Sequence, residues 1–468
     1  MTEPRPPADP PPPRPSPLGP GSQEETAVLR KLLRSPGYLK TLGFSALIGI
    51  PVSLAAFWFL VLLHELEDAL WAGLPESLGW SEPPWWWPLP LLLIGGVLVG
   101  LIVTHLPGAG GHIPAGGLHA AGGVQPVTLP GVILAALASL PFGAVLGPEA
   151  PLIALGGGLA LLLRNLAQTP ATPQSNALLG AAGSAAAIAA IFGNPLIAAV
   201  LLIEVAGVGG PQLFAVMLPA LLSSGIGAIV FTGLGRWTGL QTGDLSLHSD
   251  LPVPHLDVGD VLWTLVVAAA IAAALHPVLT GARAVASWVA GRTFVRTVLC
   301  ALGAGVCAAA YALATGRSPA EVASSGQAAV GSLAADPHAW GITALIAVLV
   351  FKGVAYALCL GSLRGGPIFP ALFLGAAAGV LAAPLPGLGL VPGFAAGMAA
   401  AVAAMMRLPV SSVVLVTLIL GSSAMMPVVI LAAVVSFVVT EVLPPPGHKA
   451  KAADGAAAAG SGTAAGAP

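Results

Sequence analysis

From Glu82 to Glu149 the chain carries no Asp, Glu, Lys or Arg, and the next charge after Glu149 is Arg164. A run of that length cannot make the solvated surface of a soluble globule, but it suits a chain threaded repeatedly through hydrocarbon. Within it Glu149 stands alone, and a lone carboxylate at membrane depth is costly enough to call for a functional reason. Pro148 and Pro151 flank it in Gly143–Gly158, GAVLGPEAPLIALGGG. Proline lacks an amide proton and suits the first turn of a helix, so the stretch predicts a helix starting at membrane depth with Glu149 at its N-terminus. The free amides of a helix N-terminus attract anions. Glu149 is then a built-in anion that occupies or guards an anion site.

Only 8% of the 468 residues are charged and 56% are hydrophobic, whereas charged residues in soluble domains run near a quarter. The composition predicts an all-α polytopic membrane protein and excludes an ordinary soluble enzyme. A net charge of −2, with no basic stripe interleaved with aromatics, sets nucleic acid aside as a partner. Cys300, Cys307 and Cys359 lie singly in apolar segments, which makes them small core residues rather than a disulfide frame or metal site. The 60 glycines and 45 prolines are too many for simple spanning helices, so tilted, short and broken ones are expected.

Residues 1–37 comprise a Pro-rich arm, expected to be disordered, and a basic pre-membrane group of Arg30, Lys31 and Arg34. With Lys40 just beyond, these basic residues place the N-terminus in the cytoplasm. His448, Lys449 and Lys451, in a low-complexity tail over 444–468, place the C-terminus there too. The first membrane repeat is expected over 38–235 and the second over 261–443, with a polar connector over 236–260 that holds Asp244, Asp250, His255 and Asp257. His64-Glu65-Leu66-Glu67-Asp68 lacks the second histidine of a zinc-protease signature and reads as a polar helix end. Trp71, Trp80, Trp85, Trp86 and Trp87 read as an interfacial belt. Two landmarks recur in order: PLIALG from Pro151 with PALFLG from Pro370, and NPLIAAVLL from Asn194 with LPVSSVVLV from Leu408. Internal symmetry of this kind marks two structural repeats enclosing a site at their interface.

Three breaker motifs stand out: Gly110-Gly111-His112-Ile113-Pro114, Gly147-Pro148-Glu149-Ala150-Pro151 and Gly366-Pro367-Ile368-Phe369-Pro370. Each is expected to open a helix, near Ile113, Glu149 and Ile368. Converging N-termini would bind an anion without fixed cations, weakly enough for it to leave. The set resembles the CLC family of chloride channels and proton-coupled chloride transporters, whose motifs are GSGIP, G[KR]EGP and GxFxP. The resemblance runs from about Tyr38 to Leu443 and implies a fold of two inverted repeats. It places Glu149 on the gating glutamate and makes Gly111, His112, Ile113, Gly147, Glu149, Ala150, Ile368 and Phe369 the anion-binding set. Departures accompany it. The serine of GSGIP falls on Gly111, the basic residue of G[KR]EGP on Pro148, and the phenylalanine of GxFxP on Ile368. Glu204 matches the first member of the family's internal glutamate pair, and Val205 falls on the second, which carries the proton. The pore tyrosine of the last helix has no counterpart.

The resulting expectation is a transporter or channel for a monovalent anion, most simply chloride, gated by Glu149. It would act as a homodimer in the cell membrane with the lipid bilayer as its surroundings, without cofactor or metal. Passive conduction is slightly favoured, because Val205 titrates nothing. The alternatives are chloride/proton exchange, with Glu149, His112 and Glu204 as the candidate proton carriers, and transport of fluoride or nitrate. Glu204 is otherwise a structural acid at a helix end. Arg407, Lys352 and Arg364 are expected to pair or snorkel. An intramembrane enzyme is the remote rival, and no H-E-x-x-H, G-x-S-x-G or paired intramembrane aspartates support it.

Overall fold

In the computed structural model residues 33–117, 124–168, 172–206, 211–240 and 256–444 are described, together with 27, 30 and 31. The Pro-rich arm up to residue 26, most of the connector (241–255, with Asp244, Asp250 and His255) and the tail from 445, with His448, Lys449 and Lys451, lie outside the described residues. Among those described, nine helices are long and apolar enough to cross a membrane. Helix is the expected answer, because a spanning segment in lipid must satisfy its own backbone hydrogen bonds.

The two halves follow a similar order of helices, although the second contains a short helix, Gln327–Ala335, where the first has, among the described residues, only the 3₁₀ turns Pro114–Gly116 and Pro126–Thr128. Helix α1 (Pro36–Asp68) and helix α8 (Val258–Ala290) are each 33 residues long and each contains one internal proline, Pro51 and Pro277. Helix α1 continues through a π-helical turn, Ala69–Gly73, into a last turn at Leu74–Ser77. Helices α2 (Pro88–His105) and α3 (Leu129–Ser139) follow, then α4 (Glu149–Leu166), α5 (Pro173–Phe192), α6 (Pro195–Ala206) and α7 (Pro211–Thr238). The second half runs α9 (Thr293–Thr315), α10 (Gln327–Ala335), α11 (Ile342–Ser362), α12 (Ile368–Ala382), α13 (Leu390–Met406), α14 (Pro409–Leu420) and α15 (Met426–Val442).

Small residues set the packing of the inner layer. Gly156 of α4 lies directly on the carbonyl of Gly183 in α5, and Gly375 of α12 lies in the same way on the carbonyl of Gly397 in α13. Close approach of backbones is how membrane helices gain van der Waals contact when hydrocarbon surrounds them. The elbow after α5 turns on Gly193 at φ 64°, and its counterpart after α13 turns on Arg407 at φ 55°. Glycine adopts that conformation freely; arginine does so against steric resistance.

Of the five tryptophans expected in an interfacial belt, Trp85 is exposed and Trp80 and Trp86 are half-buried, while two turn inward. Trp71 and Trp87 are buried, and their indole N–H groups donate to the carbonyls of Pro141 at 2.9 Å and Leu70 at 3.0 Å. Trp80, Trp86 and Trp87 pack on one another with centroids 5.5–5.7 Å apart. A buried indole needs an acceptor, and these find one inside the protein rather than at a headgroup.

Candidate anion site

Glu149 is the first residue of α4 and is 1% exposed. Pro148 caps α4 with φ −81°, ψ −1°, and Pro367 caps α12 with nearly the same geometry, φ −90°, ψ −9°. The glycines before these prolines form a two-bond antiparallel bridge: Gly147 N–H donates to the Gly366 carbonyl at 2.8 Å and Gly366 N–H to the Gly147 carbonyl at 2.6 Å. The repeats therefore meet backbone to backbone, and two helix N-termini start within two residues of the bridge.

The Glu149 carboxylate lies across this junction. Its Oε1 accepts from the Phe369 amide at 2.9 Å, and the amides of Ile368 and of Glu149 itself also bear on it. Oε2 has no hydrogen-bond partner among the described residues. It sits against the bare α-carbons of Gly147 and Gly366, where any side chain would collide with it. One oxygen is held and the other occupies a glycine-walled seat. A buried acceptor without a donor costs about 1–3 kcal/mol, so the position is tolerated, not favoured.

Surrounding residues fix the two loops that carry the seat. The Tyr356 hydroxyl donates to the Pro367 carbonyl at 2.6 Å and is fully buried. The Val145 amide meets Cys359 Sγ at 3.4 Å, and the Ser324 amide donates to the Gly143 carbonyl at 3.1 Å. Lys352 neither pairs nor snorkels. Its Nζ is fully buried and donates to the carbonyls of Glu321, Val322, Ala323 and Ser324 at 3.0–3.3 Å. It also stands 4.9 Å above the Phe373 ring of α12. Arg317 grips the Glu321 carboxylate with Nε and Nη2 at 2.7–3.0 Å, and those bonds hold its guanidinium above the usual arginine range. Arg364 spans the motifs: Nε and Nη2 donate to the Ala109 carbonyl at 3.2 and 3.1 Å, tying the first glycine loop to the third motif. Arg407 alone pairs as expected, with Glu441 at 3.4 Å.

The first motif does not open an α-helix. Ile113 caps a single 3₁₀ turn, Pro114–Gly116, and residues 118–123 lie outside the described residues. Gly108, Ala109, Gly110, Gly111 and Gly117 all have positive φ, which breaks any helical run at that point. Gly111, His112 and Ile113 thus stand on a loop, and Gly111 packs on Val132 of α3. Pro114 and Pro367 nonetheless line one cavity of about 180 Å³. A smaller one of about 20 Å³, room for about one water, borders Pro148 and is lined by His64, Glu67 and Gln327. The 64–68 stretch, read from sequence as a polar helix end, therefore reaches a small cavity at Pro148, the residue before Glu149.

Glu204 lies elsewhere. Its carboxylate accepts from the amides of Val410 at 3.0 Å and Ser411 at 2.6 Å, binding the end of α6 to the start of α14. Sequence reasoning missed Tyr356, whose partner is reached only by tertiary packing. A hydroxyl within the apolar run 342–362 was its available signal.

Known proteins resemble this chain at both levels. A family profile described as voltage gated chloride channel matches residues 95–441. The protein of Escherichia coli strain SMS-3-5 named ion-transport protein YfeO is 28% identical over 352 residues, 71% of this chain and 77% of that one. The same figures hold for its namesake in Escherichia fergusonii. Among solved structures, a slow cyanobacterial Cl⁻/H⁺ antiporter superposes with a TM-score of 0.69 at 19% identity, covering 86% of this chain and 94% of its own. A CLC-type fluoride/proton antiporter gives 0.63 at 19%, over 87% and 97% of the two chains. At that identity the likeness establishes the fold.

Proposed function

The chain belongs to the voltage gated chloride channel family, and on that premise we propose that it moves chloride through a path gated in each subunit by Glu149. It is a multi-pass membrane protein of the anion-transporting CLC type, not an enzyme. The observation that carries the gating reading is the carboxylate seat: Oε1 on the Phe369 amide and Oε2 against two glycine α-carbons. A carboxylate and a monovalent anion would compete for the same donors, so ionised Glu149 blocks the path and its protonation or displacement opens it. Gly147, Ala150, Ile368 and Phe369 line the seat on this reading, with Gly111, His112 and Ile113 on the approach. Passive conduction is favoured, because Val205 occupies the position beside Glu204 and Glu204 is engaged by two amides of α14. The protein acts as a homodimer in the cell membrane with both termini cytoplasmic.

Proton-coupled exchange is the second reading, supported by the two proton antiporters whose structures share this fold. Fluoride or nitrate as cargo stands beside it. Chloride efflux from liposomes, with simultaneous external pH, tests these together. Chloride movement without uphill proton movement is expected. Absence of movement of any monovalent anion, at every pH and voltage, would overturn the transport reading.

A further inference from the structure

On the gating reading Glu149 gains and loses a proton, yet it is 1% exposed and its Oε2 has no hydrogen-bond donor among the described residues. Bulk solvent therefore does not reach the carboxylate directly. Beside Pro148, the cap of α4, lies the cavity of about 20 Å³. Its polar lining is His64 and Glu67 of α1 with Ser325 and Gln327 from the facing segment. A water in so small a space needs about two to four polar partners, and this lining supplies them. Leu146 and Pro148, which also line the cavity, flank Gly147, and Oε2 rests against the α-carbon of that glycine.

His64 and Glu67 stand about one turn apart on α1, a spacing that brings their side chains to one face. Both are half-buried, and both reach the cavity. Nδ1 of His64 lies 2.8 Å from the Leu60 carbonyl, a contact that requires the ring proton on Nδ1 and makes Nε2 the atom that binds and releases another. Imidazole is the side chain that ordinarily exchanges its proton between about pH 5 and 8. Glu67 faces His64 across the turn; Asp68 of the same helix and Lys352 of α11 are the other charges bearing on Glu67, and the Ser324 side chain hydrogen-bonds with it. In the facing loop the Glu321 carboxylate is taken up by Arg317. The Gln327 amide donates to Ser325 Oγ at 3.2 Å, which fixes that side of the wall.

We propose that His64 and Glu67 relay protons between solvent and the Glu149 carboxylate by way of this cavity. The inference rests on the gating reading. Nε2 takes a proton from solvent and passes it through one water to Oε2; the ring returns to neutral, the water is regenerated and the carboxylate becomes the neutral acid. Glu67 stabilises the imidazolium for as long as it carries the extra charge. With the N-terminus cytoplasmic, as proposed above, α1 carries the relay to the outer face, so the gate takes its protons from outside.

The test uses the full chain in liposomes, with chloride efflux followed in time after the external pH is dropped from about 7.5 to about 4.5. His64→Asn keeps a donor for the Leu60 carbonyl but exchanges no proton, and Glu67→Gln keeps the shape and an acceptor without the charge. Each variant should slow the rise in efflux about tenfold, while the final efflux stays within about twofold of wild type. Imidazole in the external buffer should restore the speed of His64→Asn, a response that a purely structural histidine would not give. In a Glu149→Gln background the delay should vanish, there being no acceptor to serve. Wild-type speed in both variants refutes the relay while the gating reading stands. If the wild type carries no anion, or if Glu149→Gln stays as pH-sensitive as wild type, the gating reading falls and the relay falls with it.

Discussion

The Phe369 amide donates to Oε1 of Glu149 at 2.9 Å across 220 positions of chain. The acid of one repeat is thus held by the helix start of the other. On the reading proposed above, the same amide would serve a chloride standing in the carboxylate's place.

Acidification should open the path. Protonation removes the charge that competes for the amides, so chloride efflux from liposomes should be faster at about pH 4.5 than at about pH 7.5, a span chosen above the reference carboxyl pKa of about 4.3. Glu149→Gln should be open at both values, and Glu149→Ala should go further by vacating the seat. Equal pH sensitivity in wild type and Glu149→Gln would remove Glu149 from the gate.

Gly366→Ala should couple to Glu149. A methyl at Gly366 collides with the carboxylate, so the substitution alone should destabilise by about 1–3 kcal/mol, as overpacking does. In a Glu149→Ala background much of that loss should vanish, leaving an interaction energy of about 0.5 kcal/mol or more in a thermal-unfolding double-mutant cycle. Additive effects would show that the two are not in contact.

Proton coupling should be absent in wild type and untouched in Glu204→Gln. The amide side chain keeps one acceptor for the Val410 and Ser411 amides, so stability should fall by about 1 kcal/mol while chloride flux persists. Proton uptake driven by a chloride gradient alone would count against this. Its loss in Glu204→Gln would then assign the carrier to Glu204.

Lys352→Met should lower stability by about 2–4 kcal/mol, since four carbonyls lose a buried cationic donor. Anion selectivity of the surviving folded fraction should be unchanged, because Lys352 donates to the 321–324 carbonyls and makes no hydrogen bond to Glu149, Phe369 or the two glycines of the seat. Thermal melts and anion-replacement fluxes separate the two.

The helix starts at Glu149 and Ile368 were legible because Gly-Pro-x-x-Pro combines a breaker with a residue suited to the first helical turn, and both signals are local. The repeat was legible for the same reason, through Pro151 and Pro370 and through Pro195 and Pro409. The 3₁₀ turn at Pro114 was misread as a helix, since four glycines of that loop and Ala109 take positive φ and the motif looks alike either way. Lys352 was expected to find a charge or the interface. Its four acceptors belong to a loop about 30 positions away, and no periodicity records backbone carbonyls turned inward. Arg364, Tyr356 and the His64–Glu67 end of α1 share that property: their roles arise from which segments meet.

The bridge between Gly147 and Gly366 also bears on how the protein is made. During synthesis the first half enters the bilayer with its carboxylate but without the Ile368 and Phe369 amides, which emerge more than two hundred residues later. A nascent chain with only its first half inserted has no completed route for an ion. On the gating proposed for Glu149, a route for an ion would form only once both halves have docked, and the carboxylate would then already stand across it.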